Sequence, residues 1–320
     1  MILDSLKFVQ GAVAKKDFLP AMTHFVIENK QVRSFNGTIA LCCDIPIDFN
    51  FKPKAETFVK AIENCKESTE LSLTSAGRLK VVSGKFKAFI DCIDENTMHA
   101  KPEGERFELN GETFLKAMKT LEPIVSNDAT RPWSNGILLK DCSAFATNNI
   151  VLAELWTGTV FPITINIPGL AIRELIRINR PPVYGQFTET SATFHFDNTS
   201  WLRTQLLEST WPDLSRILDR TPDSKPVMLN SKFFEALEYL KPFSDKLGRV
   251  YFKDGIVRTN ECENEGALYE IPEFSHEGIF QIEMLNLLEP IAKTIHFESS
   301  LLPSIFYGDN IRGAIAGMRM

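Results

Sequence analysis

The sequence predicts an α+β protein built from repeated units, and three observations carry that prediction. Six helical patterns begin near Asp4, Pro53, Asn110, Pro168, Asn230 and Glu283, with starts roughly 50–60 residues apart, the loose period of a repeated supersecondary unit. Hairpin signals fill the intervals, so lone helices alternate with antiparallel strands and a doubly wound parallel sheet is excluded. Proline-containing links at Lys101-Pro102-Glu103-Gly104 and Thr221-Pro222-Asp223-Ser224 divide the chain into parts 1–104, 105–222 and 223–320, with two helices each.

Taken in order, the first helix leads through Leu19-Pro20 into a strand, Phe25-Val26-Ile27-Glu28, that turns at Asn29-Lys30. Pro53 opens the second helix, whose apolar stripe is Phe58, Ile62 and Cys65. Glu70 to Thr74 alternates polar and apolar residues, and Arg78 to Asp91 reads as a hairpin turning at Ser83-Gly84. The third helix follows Leu109-Asn110 and the fifth follows Leu229-Asn230; both combine a strand-like lead-in, a capping asparagine and large apolar residues at helical spacing.

Between them, Arg131 to Ala153 reads as a buried strand, a turn around Asp141-Cys142-Ser143, and a second strand running into a third. In the fourth helix, after Pro168, the spacing puts Leu170, Ile172, Leu175, Ile176 and Asn179 on the buried side and Arg173, Arg177 and Arg180 opposite. Further hairpins are expected near Asn198-Thr199, at Asp254-Gly255 and at Gly308-Asp309-Asn310. Each helix is expected to run about 10–14 residues.

Composition narrows the function classes. A chain of 320 residues with 44% hydrophobic and 24% charged residues is an ordinary globular protein of more than one domain. No apolar run approaches membrane-spanning length and the N-terminus is no signal peptide, so a cytoplasmic protein is expected. The six cysteines show no CxxC spacing and read as small buried side chains of a reduced chain, with no metal or cofactor implied. Net charge is −6, spread as +1, −2 and −5 over the three parts, so any polyanion must meet basic residues gathered on one surface.

No GxSxG, HExxH, phosphate-loop or GxGxxG motif occurs, and the five histidines sit in separate segments, so the reading is non-enzymatic. The basic residues are more informative. Lys7, Lys15 and Lys16 mark the first helix and its exit, Lys60 the second, Lys116 and Lys119 the third, Arg173, Arg177 and Arg180 the fourth, and Lys232 the fifth. Helices with a basic residue opposite the apolar stripe suit sequence-independent phosphate contact along a duplex.

Five ordered segments resemble the bacterial-type DNA sliding clamp. They are Leu19-Pro20 with the strand Phe25 to Glu28, the stretch Arg131 to Ala153, Ile167-Pro168 through Arg177, Leu202 to Leu218 with Trp211-Pro212-Asp213, and the end Gly317-Met318-Arg319-Met320. The resemblance implies three similar clamp domains in a homodimeric ring. The ring would encircle double-stranded DNA and tether the replicative polymerase after a clamp loader has closed it. It also implies an apolar pocket for partner peptides, made by Ser134, Thr147, Asn149, Ile150, Val151 and Leu152 together with Met318, Arg319 and Met320.

Arg131 and Trp133 would occupy a DNA-contacting loop. The chain departs from the family at Asn148 to Val151, Ser134 and Gly317, so the pocket is expected to be differently shaped, and its trimmed loops would suit a phage or mobile-element version. The competing reading is a clamp-fold interaction or decoy protein that binds replication partners without encircling DNA, which sedimentation as a permanent monomer would favour.

Overall fold

A computed structural model describes residues 2–16, 19–95, 100–262, 265–298 and 302–318. The chain forms two compact units: Met1–Leu115 with Leu170–Leu206, and Lys116–Gly169 with Leu207–Met320. The division falls inside the third helix, Gly111–Leu121, and at the start of the fourth, Gly169–Ile178.

The first unit is built on a seven-stranded antiparallel sheet. Its spatial order is Val26–Glu28, Gln31–Phe35, Ile39–Asp44, Trp201–Gln205, Ser191–His195, Tyr184–Phe187 and Arg106–Glu108. Asn29 and Lys30 both take positive φ, 52° and 61°, the geometry of a two-residue turn whose twist matches the strands it joins. Cys42 stands opposite Trp201, so the sheet runs unbroken across the link at residues 101–104.

Cys42 packs under Trp201 and Cys43 turns to the first helix, Ile2–Val9, donating to the carbonyl oxygen of Ser5 at 3.5 Å. The two cysteines do face opposite ways, yet both are buried because both sheet faces are covered there. Burial pushes their thiols up to about 11 and 12, which makes them inert apolar side chains. The helices Ile2–Val9 and Ala55–Glu63 and a three-stranded sheet, Glu70–Leu73, Leu79–Ser83 and Phe86–Ile90, complete the unit.

The second unit holds an eight-stranded sheet in the order Ile165–Pro168, Gly136–Lys140, Ser143–Thr147, Val151–Trp156, Ile311–Ile315, Ser304–Gly308, Thr294–His296 and Val227–Met228. A four-stranded sheet, Leu268–Glu270, Ile256–Arg258, Arg249–Lys253 and Gly278–Gln281, packs with the helix Ser231–Leu240. Neighbouring rings of Phe233, Phe252, Phe274, Phe280 and Phe297 lie 4.8 to 6.5 Å apart and form its core.

The capping reading holds at both asparagines: Asn110 accepts from the Thr113 amide at 3.3 Å and Asn230 from the Phe233 amide at 3.1 Å. Several elements differ from expectation, the first helix having eight residues and the second nine. The sixth helix is five residues long, Ile282–Asn286, because the backbone then closes three-residue turns (Leu288 to Leu285, Glu289 to Asn286) and Pro290 has no amide hydrogen to continue it. A four-residue helix, Ser215–Leu218, is too short for any periodicity to reveal.

The fourth helix is also rotated from its predicted face. Ala171, Ile172, Glu174 and Leu175 are buried, whereas Leu170 is 44% exposed and Asn179 is exposed. Glu174 occupies part of that buried face, with its carboxylate against Gly11, and pairs with Arg177 at its edge.

Candidate functional site

A cleft of 460 Å³ opens in the second unit, within the size range of small-ligand and peptide sites. One wall is the turn between Ser143–Thr147 and Val151–Trp156. Asn148 Oδ1 accepts from the Ile150 and Val151 amides at 3.1 and 2.7 Å, and the Thr147 hydroxyl donates to the Val151 carbonyl at 2.7 Å. Asn149 sits at φ 73°, a left-handed conformation that asparagine tolerates. These bonds hold Asn149, Ile150, Val151 and Leu152 along the cleft.

The facing wall is Ala314, Ala316 and Gly317 at the end of the last strand, tied on by the Ala316 amide donating to the Ile150 carbonyl at 2.8 Å. Ile217 of the short helix, Pro212 and Leu214 just before it, and Leu302 and Pro303 complete a mainly apolar lining. Arg131 and Trp133 stand at the same cleft, where the Trp133 ring meets that of Trp211 edge-on at 5.3 Å. Such a surface can bury leucine- and phenylalanine-sized side chains, each gaining about 1.5–3 kcal/mol.

Five of the expected pocket residues, Thr147 and Asn149 to Leu152, are thus brought together. Ser134 is not: it is fully buried, and its hydroxyl donates to the Arg131 carbonyl at 2.8 Å, so it shapes the loop from behind. Met318 lies beyond the lining, its amide bonded to the Ile279 carbonyl at 2.7 Å. Arg319 and Met320 lie outside the described residues.

Arg131 and Trp133, expected at a DNA-contacting loop, also line the cleft. Pro212, Leu214 and Ile217 were missed although they sit in a segment carrying the resemblance. Leu302 and Pro303 had no local signal.

The basic side chains are exposed, but several are already engaged. In the first unit Lys7 pairs with Glu63 at 3.1 Å and Lys60 with Glu56 at 2.5 Å, while Lys15 and Lys16 are exposed at the first helix's exit. Arg177 pairs with Glu174 and donates to the Lys7 and Phe8 carbonyls, and Arg180 pairs with Asp197 at 3.0 Å while lying over the Phe196 ring. Phe196 meets Phe8 edge-on at 5.7 Å, so Lys7, Arg177 and Arg180 gather around the end of the first helix. Arg173 is exposed on the fourth helix, and in the second unit Lys116, Lys119 and Lys232 are exposed on theirs.

Asp197 shows how tightly this cluster is bound. Burial alone would raise its carboxyl, but the Thr199 and Ser200 amides and the Arg180 guanidinium outweigh it and hold it down at about 2. Among the described residues no group of histidine, cysteine and carboxylate side chains could hold a metal ion, and no helix is long and apolar enough to cross a membrane.

No protein-family model matches the sequence, and no curated protein matches it. Solved structures match it over nearly its whole length. The Caulobacter crescentus beta sliding clamp aligns with a TM-score of 0.86 at 17% identity, covering 99% of this chain and 97% of that one. The sliding clamp (DNA polymerase III subunit beta) of Bartonella birtlesii, solved bound to griselimycin, aligns at 0.84 and 16% over the same shares. The Bacillus subtilis DNA polymerase sliding clamp aligns at 0.84 and 17%, again covering 99% and 97%. The chain has the fold of these proteins, and the α+β clamp-type fold expected from the sequence is the one observed.

Proposed function

We propose that this chain is a non-catalytic DNA sliding clamp, a processivity factor of which two copies close into a ring around double-stranded DNA. The observation that carries the reading is the fold match to beta sliding clamps, at a TM-score of 0.86 over 99% of the chain. In this reading parts 1–104, 105–222 and 223–320 are the three domains, a loader closes the ring, and the cleft at Leu152 takes a short peptide of the replicative polymerase. The place of action is the cytoplasm.

Two exposed sheet edges support ring closure. In the first unit Glu70–Leu73 is an outer strand, and Leu73 and Phe89 are exposed on its sheet. In the second unit Leu268–Glu270 is an outer strand beside a concave apolar patch of Tyr239, Phe243 and Leu268. Unpaired edges with exposed apolar residues are templates for pairing with another chain. One unit of each copy meeting the other unit of its partner covers both edges and closes a two-fold ring.

Duplex contact falls to Lys7, Lys15, Lys16, Lys60, Lys116, Lys119, Arg173, Arg177, Arg180 and Lys232, with Arg131 and Trp133 at the rim of the peptide cleft. Weak phosphate contacts are sufficient because residence is topological. The test is retention on nicked circular DNA after loading: the protein stays on the circle and leaves when the DNA is linearised. Equal retention on both forms would overturn the reading.

A further inference from the structure

The first unit contains a cavity of its own, 230 Å³ in volume, beside the strands Gln31–Phe35, Ile39–Asp44 and Trp201–Gln205. Its surroundings repeat those of the cleft in the second unit at one fixed offset along the chain. The Ala14 amide donates to the Met22 carbonyl at 2.9 Å as the Ser126 amide donates to that of Ser134 at 3.0 Å, so Ala14 corresponds to Ser126 and Met22 to Ser134. At the same offset, Asn36 corresponds to Asn148. Asn36 Oδ1 accepts from the Thr38 and Ile39 amides at 3.1 and 2.9 Å, as Asn148 accepts from those of Ile150 and Val151 at 3.1 and 2.7 Å.

The lining follows the same offset. Leu19, Ala21, Phe35 and Ala40 line the cavity in the first unit, and their counterparts Arg131, Trp133, Thr147 and Leu152 line the cleft in the second. The sheets agree as well: Ile39–Asp44 is followed in its sheet by Trp201–Gln205, as Val151–Trp156 is by Ile311–Ile315. A shared backbone frame has produced a second concavity in the corresponding place.

We propose that this cavity is a second docking site, which takes one leucine- or phenylalanine-sized side chain of an extended partner peptide. The class of ligand rests on reading the first cleft as a peptide site. The differences between the two define what fits. Ala21 in place of Trp133 opens the wall, and Phe35, Ala40 and Trp201 make an apolar floor. Leu19, 54% exposed, replaces the charge of Arg131 at the mouth.

Arg33 and Glu95 bring opposite charges to the lining, so neither sign of ligand is favoured and a neutral anchor is. Met22 supplies a wall that adapts to different side chains. With half the volume of the first cleft, 230 against 460 Å³, it holds fewer anchors. Binding there is roughly tenfold or more weaker, the cost of one buried apolar side chain fewer.

The test uses the full-length protein with 13C-labelled methionine methyl groups. The probe is the capped peptide glutamine-leucine-serine-leucine-phenylalanine, with Met22 reporting on the cavity and the Trp133 indole on the cleft. The Met22 methyl shifts saturably in the unaltered protein and in Ala316→Trp, which plugs the cleft. It stays fixed in Ala21→Trp, which fills the cavity with the side chain the second unit already carries. Leu19→Asp weakens the Met22 response at the mouth, away from the fold's core. A Met22 signal that does not move, whatever Trp133 does, overturns the proposal. A silent Trp133 with a moving Met22 overturns the peptide reading of the cleft and leaves the cavity standing.

Discussion

Arg177, on the fourth helix, closes the end of the first, donating to the carbonyl oxygens of Lys7 at 3.1 Å and Phe8 at 2.7 Å. Those carbonyls lie in the last turn of Ile2–Val9, where no amide of the helix itself can reach them. Glu174, 7% exposed, holds the guanidinium in place through its Nε at 2.8 Å. Gly11 is part of the same arrangement, since a Cβ there would overlap the Glu174 carboxylate.

Arg177→Ala is therefore expected to act on stability first. It leaves a buried carboxylate alone and two helix carbonyls without their donor, a loss of about 3 kcal/mol. Glu174→Gln, which keeps a neutral hydrogen-bonding group, costs less. Urea unfolding of the two variants checks the order, and equal small losses would show that the pair contributes little.

The exposed lysines outside such pairs are expected to behave oppositely. Lys116→Ala and Lys232→Ala each reduce the salt dependence of duplex binding by about 0.9 in the log–log slope. Thermal stability stays within about 0.5 kcal/mol of the parent. Titrations over a range of salt concentrations read the slope, and an unchanged slope in both variants would remove these residues from the DNA surface.

Ring closure is expected to depend on the apolar patch beside Leu268–Glu270. Tyr239→Asp or Leu268→Asp places a charge where a second copy would exclude water, and sedimentation then shows a monomer where the parent is a dimer. A dimer that persists in both variants would move the interface elsewhere.

In the cleft, Ala316→Trp is expected to weaken partner-peptide binding about tenfold or more while the dimer persists. Ser134→Ala leaves peptide affinity unchanged but costs about 1–2 kcal/mol, because its hydroxyl supports the loop from inside. Fluorescence anisotropy and thermal melting separate the two effects. Deleting residues 317–320 is a blunter test, since it also removes the Met318 bond to Ile279.

His195 carries a pH dependence. Its Nε2 is 2.7 Å from Gln186 Oε1, its buried Nδ1 has no hydrogen-bond partner among the described residues, and burial, then the Arg106 charge, pushes the imidazole down to about 4. The unfolded chain takes up a proton below about pH 6.5 and the folded one does not, so stability is full above 6.5 and falls as pH drops toward 4. The loss approaches about 3 kcal/mol at the acid end. Melting curves of the parent and His195→Phe between pH 7 and 4 should diverge by that amount, and parallel curves would exclude it.

Much of the fold was legible because its signals are local. Asn110 and Asn230 cap helices through amides three residues away, and Asp254-Gly255 turns a hairpin whose strands are the next residues on either side. The fixed offset between the cavity and the cleft was not found from the sequence. Its matched positions hold unlike side chains, Leu19 against Arg131 and Ala21 against Trp133, and only the backbone bonds repeat.

The arginines of the fourth helix illustrate the limit of periodicity. Spacing placed Arg173, Arg177 and Arg180 on one exposed face, and all three are exposed. That Arg177 serves the first helix, and that Glu174 turns inward to hold it, depends on a neighbour no helical period can specify.

By itself the sequence determined the α+β class, the helix starts and the hairpin turns, since each follows from hydrogen bonds and apolar spacing within a few residues, whereas Thr147 to Leu152 were marked only by the family resemblance. The tertiary structure alone decided that Arg131 and Trp133 join those residues, with Pro212 and Ala316, around one cleft. It did so by pairing strands far apart in the chain, Leu152 opposite Ala314, and burial against such a partner is a property of the folded sheet.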